Sequence, residues 1–277
     1  MEVSMHSEEI LALALEMAGI DERPADTLIY VPGEMKRILF GIDIDLADVM
    51  LAKQLGYDGV IGHHPIGMTA RTDFYQVLDR QIMLMQEVGA SREEAEAALR
   101  KRQQEIAYNA MGTNYDRNIT AFNMLGLPVM NLHIVIDIIT ERTVRSRVYP
   151  EFPEGNNKTV SDLIDMLMEF EEYRKSPIQP RVVIGDLDAP CGVPIIAFAN
   201  GTCGGPDVIR TYWKHGRDTA VYMHIPHSDV KELRDDDNRK NLVIAGHMAS
   251  DSIGINIFID ALIERGLEVG HFNGVVR

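Results

Sequence analysis

Short runs of β-branched and apolar residues alternate with longer helical stretches along the whole chain. That alternation commits it to an α/β fold. Residues 28–31 and 37–43 read as strands about the turn Pro32-Gly33, and 46–55 as a helix that Gly56 closes in a left-handed cap. Residues 59–62 form a short strand running into His63-His64-Pro65. Ser7 is the expected cap of a helix over 8–18, and 73–111 holds two helices, the second opened by a capping box at Ser91 and Glu94. A helix over 116–125 ends at Gly126, with strands expected over 129–139 and 143–148 and a helix over 159–170. Beyond 176–180, which carries Pro177 and Pro180 and reads as a linker, strands are expected near 181–184, 195–199, 219–223 and 242–245. Helices are expected near 206–214 and 252–265, and the charged run 231–240 reads as a solvated loop or helix end.

At 277 residues the chain is about twice the usual domain size. An internal echo fits two related lobes. Gly56-Tyr57-Asp58, a short strand and His64 are matched by Gly216-Arg217-Asp218, a strand and His224. Each set follows a helix carrying Asp-Val, at Asp48-Val49 and Asp207-Val208. The expected division is 1–130 and 131–277.

Composition excludes several classes. With 45% apolar and 25% charged residues, disorder is not the main state. Asp and Glu number 42 against 27 Lys and Arg, a net charge of −15, which suits no grip on a phosphate backbone. Nucleic acid is therefore not an expected partner. Two cysteines, Cys191 and Cys203, exclude a disulfide scaffold and a Cys-rich zinc module. An acidic start and the lack of any run near about eighteen apolar residues point to a cytoplasmic protein with no membrane partner.

The chemistry gathers where strands end. Ligand sites in open α/β sheets collect at the carboxyl ends of strands, where Gly62-His63-His64-Pro65 falls. Neighbouring strand residues point to opposite faces, but at an end bent by Pro65 the two imidazoles can address two ions, one each. The plain alternative is a pair of surface loop histidines. Gly246-His247 also follows an apolar strand, and Asp251, four residues on, shares a helix face with His247. Imidazole plus carboxylate at that spacing suits a divalent metal; the alternatives are a helix-start histidine and a first-turn acid complementing the dipole. Asp116 ends the polar turn 112–116 before a helix, where its ordinary role is an N-cap. Three histidines and two carboxylates exceed one tetrahedral ion and suit a dinuclear site. Elsewhere, Gly201-Thr202-Cys203-Gly204-Gly205 could seat an anion, Cys203 reads as a buried thiol, and His224 and His227 sit where they could line a cleft. His133 reads as a core histidine in a strand, and Met83, Met85 and Met111 as helix packing.

Phe40-Gly41-Ile42-Asp43, residues 56–65, Thr113-Asn114-Tyr115-Asp116 and Gly246-His247-x-x-x-Asp251 together resemble the Nif-three-like family, also known as GTP cyclohydrolase type-two homologues. The resemblance implies two α/β lobes with mixed sheets, a dinuclear metal site in the cleft between them, and a toroidal homohexamer. It implies His63, His64, Asp116, His247 and Asp251 as ligands of two divalent ions per chain, and Asp43 as a pocket residue. His/carboxylate ligands accept Zn, Mn, Fe, Ni or Co. The implied function is a metal-dependent hydrolase, with Asp116 or Asp251 doubling as proton acceptor and a nucleotide ring as the substrate opened. No Walker loop or Gly-x-Gly-x-x-Gly accompanies it. The alternative is a non-catalytic, metal-binding hexameric scaffold. The chain departs from the family in four places: Asp251 stands for the usual Glu, Gly112 for a His, Asp26-Thr27-Leu28-Ile29-Tyr30 for Asp-Asn-x-Gly-Leu, and 91–111 is extra material.

Overall fold

The computed structural model describes residues 3–236 and 239–277, so Asp237 and Asn238 of the charged run lie outside the described residues. The chain forms two compact units. The first takes the chain up to Val77 with Ile106–Ile139 and Gly254–Val275; the second takes Leu78–Glu105, Thr140–Ile253 and Val276–Arg277. A single boundary at 130/131 therefore does not describe them, and 176–180 lies inside the second unit instead of linking two lobes. The cause is non-local strand pairing, which brings the C-terminal strand back beside the N-terminal sheet.

The strands in chain order are β1 (Met5–His6), β2 (Leu28–Val31), β3 (Glu34–Met35), β4 (Arg37–Gly41), β5 (Gly59–Gly62), β6 (Val129–Asn131), β7 (Arg181–Ile184), β8 (Ile195–Ala197), β9 (Thr219–Tyr222), β10 (Asn241–Ile244) and β11 (Glu268–His271). In the first unit the sheet order is β11-β4-β5-β6-β2. Its strands run parallel except β2, which pairs antiparallel with β6. Ile38, Phe40, Val60, Ile61, Val129 and Met130 are fully buried in it. Such short continuous apolar runs are what parallel strands covered on both faces require. A separate ribbon pairs β1 with β3.

The second unit's sheet has the order β7-β10-β9-β8, parallel except for β7. Four strands thus recur in the same order and sense: β2, β4, β5 and β6 in one unit, β7, β8, β9 and β10 in the other. The echo seen in sequence sits at matching points of this repeat. Leu46–Gln54 leads through Gly56 (φ +80°) into β5, and Pro206–Lys214 through Gly216 (φ +82°) into β9. Asp58 Oδ1 accepts from the N–H groups of Lys36 (2.7 Å) and Arg37 (2.9 Å), fixing the head of β4. Asp218 instead pairs with Lys240 at the head of β10.

Several elements differ from the sequence-based expectation. The strand over 129–139 stops at Asn131, and Ile134–Val148 is one helix that absorbs 143–148 as well. Its start is buried all round, so the apolar run carries no period that separates helix from strand. The first helix, Ser7–Ala18, is capped by His6 in a capping box with Glu9, while the Ser7 hydroxyl accepts from Gly33 N–H. Residues 73–111 hold a 3₁₀ turn, Phe74–Leu78, before the helices Asp79–Glu87 and Arg92–Met111. Met83 and Met111 are exposed and only Met85 packs inside. The stretch 159–170 splits into Val160–Leu167 and a turn that leads to Glu171–Lys175. Among the described residues no helix is long and apolar enough to cross a membrane.

Candidate metal centre

In the first unit, β5 ends at Gly62 and the chain leaves the pleat at once. The N–H groups of His63 (3.2 Å) and His64 (3.0 Å) both reach the Ile42 carbonyl, so consecutive side chains are no longer sent to opposite faces. The imidazole rings of His63 and His64 lie 5.0 Å apart, and His133 is 5.0 Å from His63 and 5.5 Å from His64.

Each ring spends its Nδ1 on an acceptor. His63 Nδ1 is 3.0 Å from the Leu132 carbonyl, His64 Nδ1 is 2.8 Å from Asp43 Oδ1, and His133 Nδ1 is 2.6 Å from Asp26 Oδ2. A carbonyl or carboxylate oxygen can only accept from these rings, so Nδ1 carries the proton and a neutral ring keeps its lone pair on Nε2. Histidines that ligate metals are held by such a partner on the other nitrogen. The ligand atoms of these three histidines lie within 4.8 Å of one another.

Asp137 stands beside them. His63 Nε2 is 3.3 Å from Asp137 Oδ1, and His133 Nε2 is 3.6 Å from Asp137 Oδ2. Asp137 is 3% exposed and its Oδ1 accepts no hydrogen bond. A buried carboxylate oxygen facing a nitrogen lone pair is repulsive unless a cation lies with them, whether a proton or a metal. Burial pulls the His133 pKa down, but Asp137 and the Asp26 hydrogen bond outweigh it and raise it above the ordinary value of 6.5. The group therefore favours positive charge. Imidazole nitrogens with a carboxylate oxygen are also a fitting donor set for a divalent ion.

Asp116 does not join this group. It is exposed, its side chain makes no capping bond to the helix Arg117–Leu125, and it belongs to none of the His/Asp groups among the described residues. Asp43 is placed as expected, on the wall of a cavity of about 590 Å³ that His64, Asp48, Arg71 and Phe74 also line. Capping of the following helix falls to Asp45 instead, whose carboxylate accepts from Ala47 and Asp48 N–H. The extra helix Arg92–Met111 contributes Ile106 and Asn109 to the same wall.

In the second unit, β10 runs through Gly246 (φ +105°) into the helix His247–Glu264. His247 Nε2 is 3.5 Å from Asp251 Oδ2, and Asp251 is fully buried. The His224 ring, two residues past β9, lies 4.3 Å from that of His247. His227 opens the next helix, His227–Arg234, and is exposed. This pair matches one in the first unit. β6 and β10 hold the same place in the repeat, and each is followed by His-x-x-x-Asp at a helix start, His133/Asp137 and His247/Asp251. Sequence reasoning missed Asp137 and the place of His133 in the cluster, although the shared spacing was the signal. The apolar residues between them had the look of a strand.

The glycine turn 201–205 is not built for anions. Its cavity of about 260 Å³ is lined by Asp207, Asp229 and Glu232 as well as Lys101 and Arg102, and Arg102 is paired with Asp229 at 2.5 Å. Cys203 is a buried thiol as expected, and Cys191 is buried as well. Burial pushes Cys203 up to about 12 and Cys191 up to about 11, so at pH 8 about one thiol in a thousand or fewer is the reactive thiolate. Neither should react with Ellman's reagent in the native protein, and both should react once it is unfolded. Fast labelling of the folded chain would contradict this placement.

The fold and the His/Asp group define an α/β protein of two mixed sheets with a cluster of histidines and carboxylates that could hold a metal ion. The chain is 36% identical to a NIF3 superfamily protein from Sphaerobacter thermophilus, with 98% of each chain covered and a TM-score of 0.92. It belongs to the NIF3 superfamily. Reduced HcgD from Methanocaldococcus jannaschii (13% identity, TM-score 0.58, 98% of this chain and 99% of that one) shares the fold. So does ybgI, a protein of unknown function (15% identity, TM-score 0.57, 97% and 98%). No protein-family model and no curated protein matches the chain.

Proposed function

We propose that this protein binds two divalent metal ions and uses them for hydrolysis. The observation that carries the reading is the commitment of three Nδ1 atoms to acceptors, which leaves the ring lone pairs on three Nε2 atoms, those of His63 and His133 standing beside the Asp137 carboxylate. The ligands we assign are His63, His64 and Asp137, with His133 beside them; the family resemblance adds His247 and Asp251. Asp137 takes the place that sequence resemblance suggested for Asp116. A divalent cation here supplies an acidified water and Lewis-acid polarisation of a carbonyl, ring carbon or phosphoryl group. Asp43 holds His64 in place, and the cavity beside His64 receives the substrate, of the size expected for a nucleoside or similar heterocycle. Asp251, as a ligand with a second carboxylate oxygen, serves as proton acceptor. A cytoplasmic homohexamer acting on a nucleotide ring is the form the family resemblance suggests.

A second reading, a metal-binding scaffold without turnover, is favoured by Asp251, whose carboxylate is one methylene shorter than the family's Glu. Elemental analysis of protein purified without chelator tests the common part. About two equivalents are expected under the dinuclear mechanism, with clear loss in His64→Ala and His247→Ala. No metal in the wild type would end both readings. Turnover of nucleotides or phosphoesters by the loaded protein would select the enzyme, and its absence over a broad panel the scaffold.

A further inference from the structure

We infer that Asp26 is a positioning residue for the metal centre, acting through His133; this rests on the metal-binding reading above. Asp26 precedes β2 and is fully buried. Its Oδ2 accepts from His133 Nδ1 at 2.6 Å and from the Ile134 N–H at 3.3 Å, so one oxygen holds both the ring and the start of the helix that carries Asp137. Its backbone carbonyl accepts from Asn131 Nδ2 at 2.7 Å, and the same amide donates to the His63 carbonyl at 3.3 Å. Asn131 Oδ1 accepts the Tyr30 hydroxyl at 2.8 Å, while that hydroxyl accepts the N–H groups of Ile66 (2.9 Å) and Gly67 (3.3 Å). Burial pushes Tyr30 up to about 12, which keeps its hydroxyl a donor. Tyr30, Asn131 and Asp26 therefore tie the edge strand to both ligand-bearing segments, the His63-His64-Pro65 corner and the His133/Asp137 helix start.

A buried carboxylate is costly, and an apolar residue would pack the same space without that cost. What the carboxylate adds is chemical. It keeps the proton on Nδ1, fixes the plane of the ring, and makes Nε2 a better donor atom toward the group formed with Asp137 and His63. Asparagine at position 26 has nearly the same shape, but its amide can donate to the ring and drive the proton to Nε2, the wrong tautomer for this role.

The test is a Co(II) titration of the full chain, read by its visible absorption. Asp26→Asn is expected to weaken Co(II) binding about ten- to hundredfold and to shift the bands, the usual cost of losing a partner behind a ligand. Thr27→Val removes only the 3.4 Å hydroxyl contact to Asp26 Oδ1 and should stay within about twofold of wild type. In Asp26→Asn/His133→Gln the loss should come close to that of His133→Gln alone, because the carboxylate acts on the metal chiefly through that ring, the Ile134 N–H being its longer contact. Asp26→Ser substitutes if Asp26→Asn does not fold. Wild type that takes up no Co(II) would defeat the metal-binding reading itself. Wild type that binds while Asp26→Asn binds equally well, or losses that add in the double variant, would overturn the role of Asp26 alone.

Discussion

Asp137→Asn is expected to lower metal affinity by about a hundredfold or more, beyond the cost of losing a partner that only orients a ligand. At alkaline pH, where His133 is neutral, the same substitution should leave the metal-free protein as stable as wild type or more so. In the absence of metal, the Asp137 carboxylate is a buried charge set against the acceptor face of His63, and a neutral amide of the same shape relieves that cost. This opposite movement of binding and metal-free stability separates a ligand from an ordinary core residue, whose loss weakens both. Asp116→Asn is the control, expected to stay within about twofold of wild type because the side chain is exposed and outside the group. Isothermal titration with Zn(II) and thermal melts in chelator measure the two halves. Retained affinity in Asp137→Asn with loss in Asp116→Asn would return the ligand role to the residue the family motif suggests.

Glu141→Ala should lower the unfolding free energy by about 3–5 kcal/mol, the range for breaking a buried ion pair from one side. Glu141 is 4% exposed. Its Oε2 accepts from Phe198 and Ala199 N–H, each at 2.9 Å, and its Oε1 is 3.3 Å from Arg145 and 3.9 Å from Arg80. Burial raises its pKa, while Arg145 and the two backbone N–H groups pull it down, and burial prevails. Alanine would leave two backbone donors without their acceptor and take one carboxylate from Arg145, which keeps the Ile196 carbonyl and Glu87. Urea unfolding measures the loss; a change below about 1 kcal/mol, the size of an ordinary surface substitution, would show that water takes over the site.

Local order along the chain set much of what was legible. The β5 strand, the Gly56 cap, the Ser91 cap and the helix from Arg117 to Leu125 depend on neighbouring residues. The Ser91 hydroxyl accepts from Glu94 N–H, though the Glu94 carboxylate turns to Lys214 and His215 and does not close a capping box. His63 and His64 were visible because they directly follow β5, and His247 and Asp251 because they sit one helical turn apart at the helix start after β10. The repeat of Gly-x-Asp before β5 and β9 was visible for the same reason. Asp137 was not, since an apolar run buried on every side has no helical period to display. Asp26 was noticed only as a departure from a family pattern.

From sequence alone came the α/β class, the strand ends where histidines collect, and the acidic charge that sets nucleic acid aside, because all of these depend on residue type and short spacing. Tertiary structure alone chose which carboxylate stands with the histidines. Asp26, 107 residues from His133 along the chain, meets it only when β2 pairs with β6, and pairing between distant strands is settled by the burial of whole sheets, which no local stretch encodes.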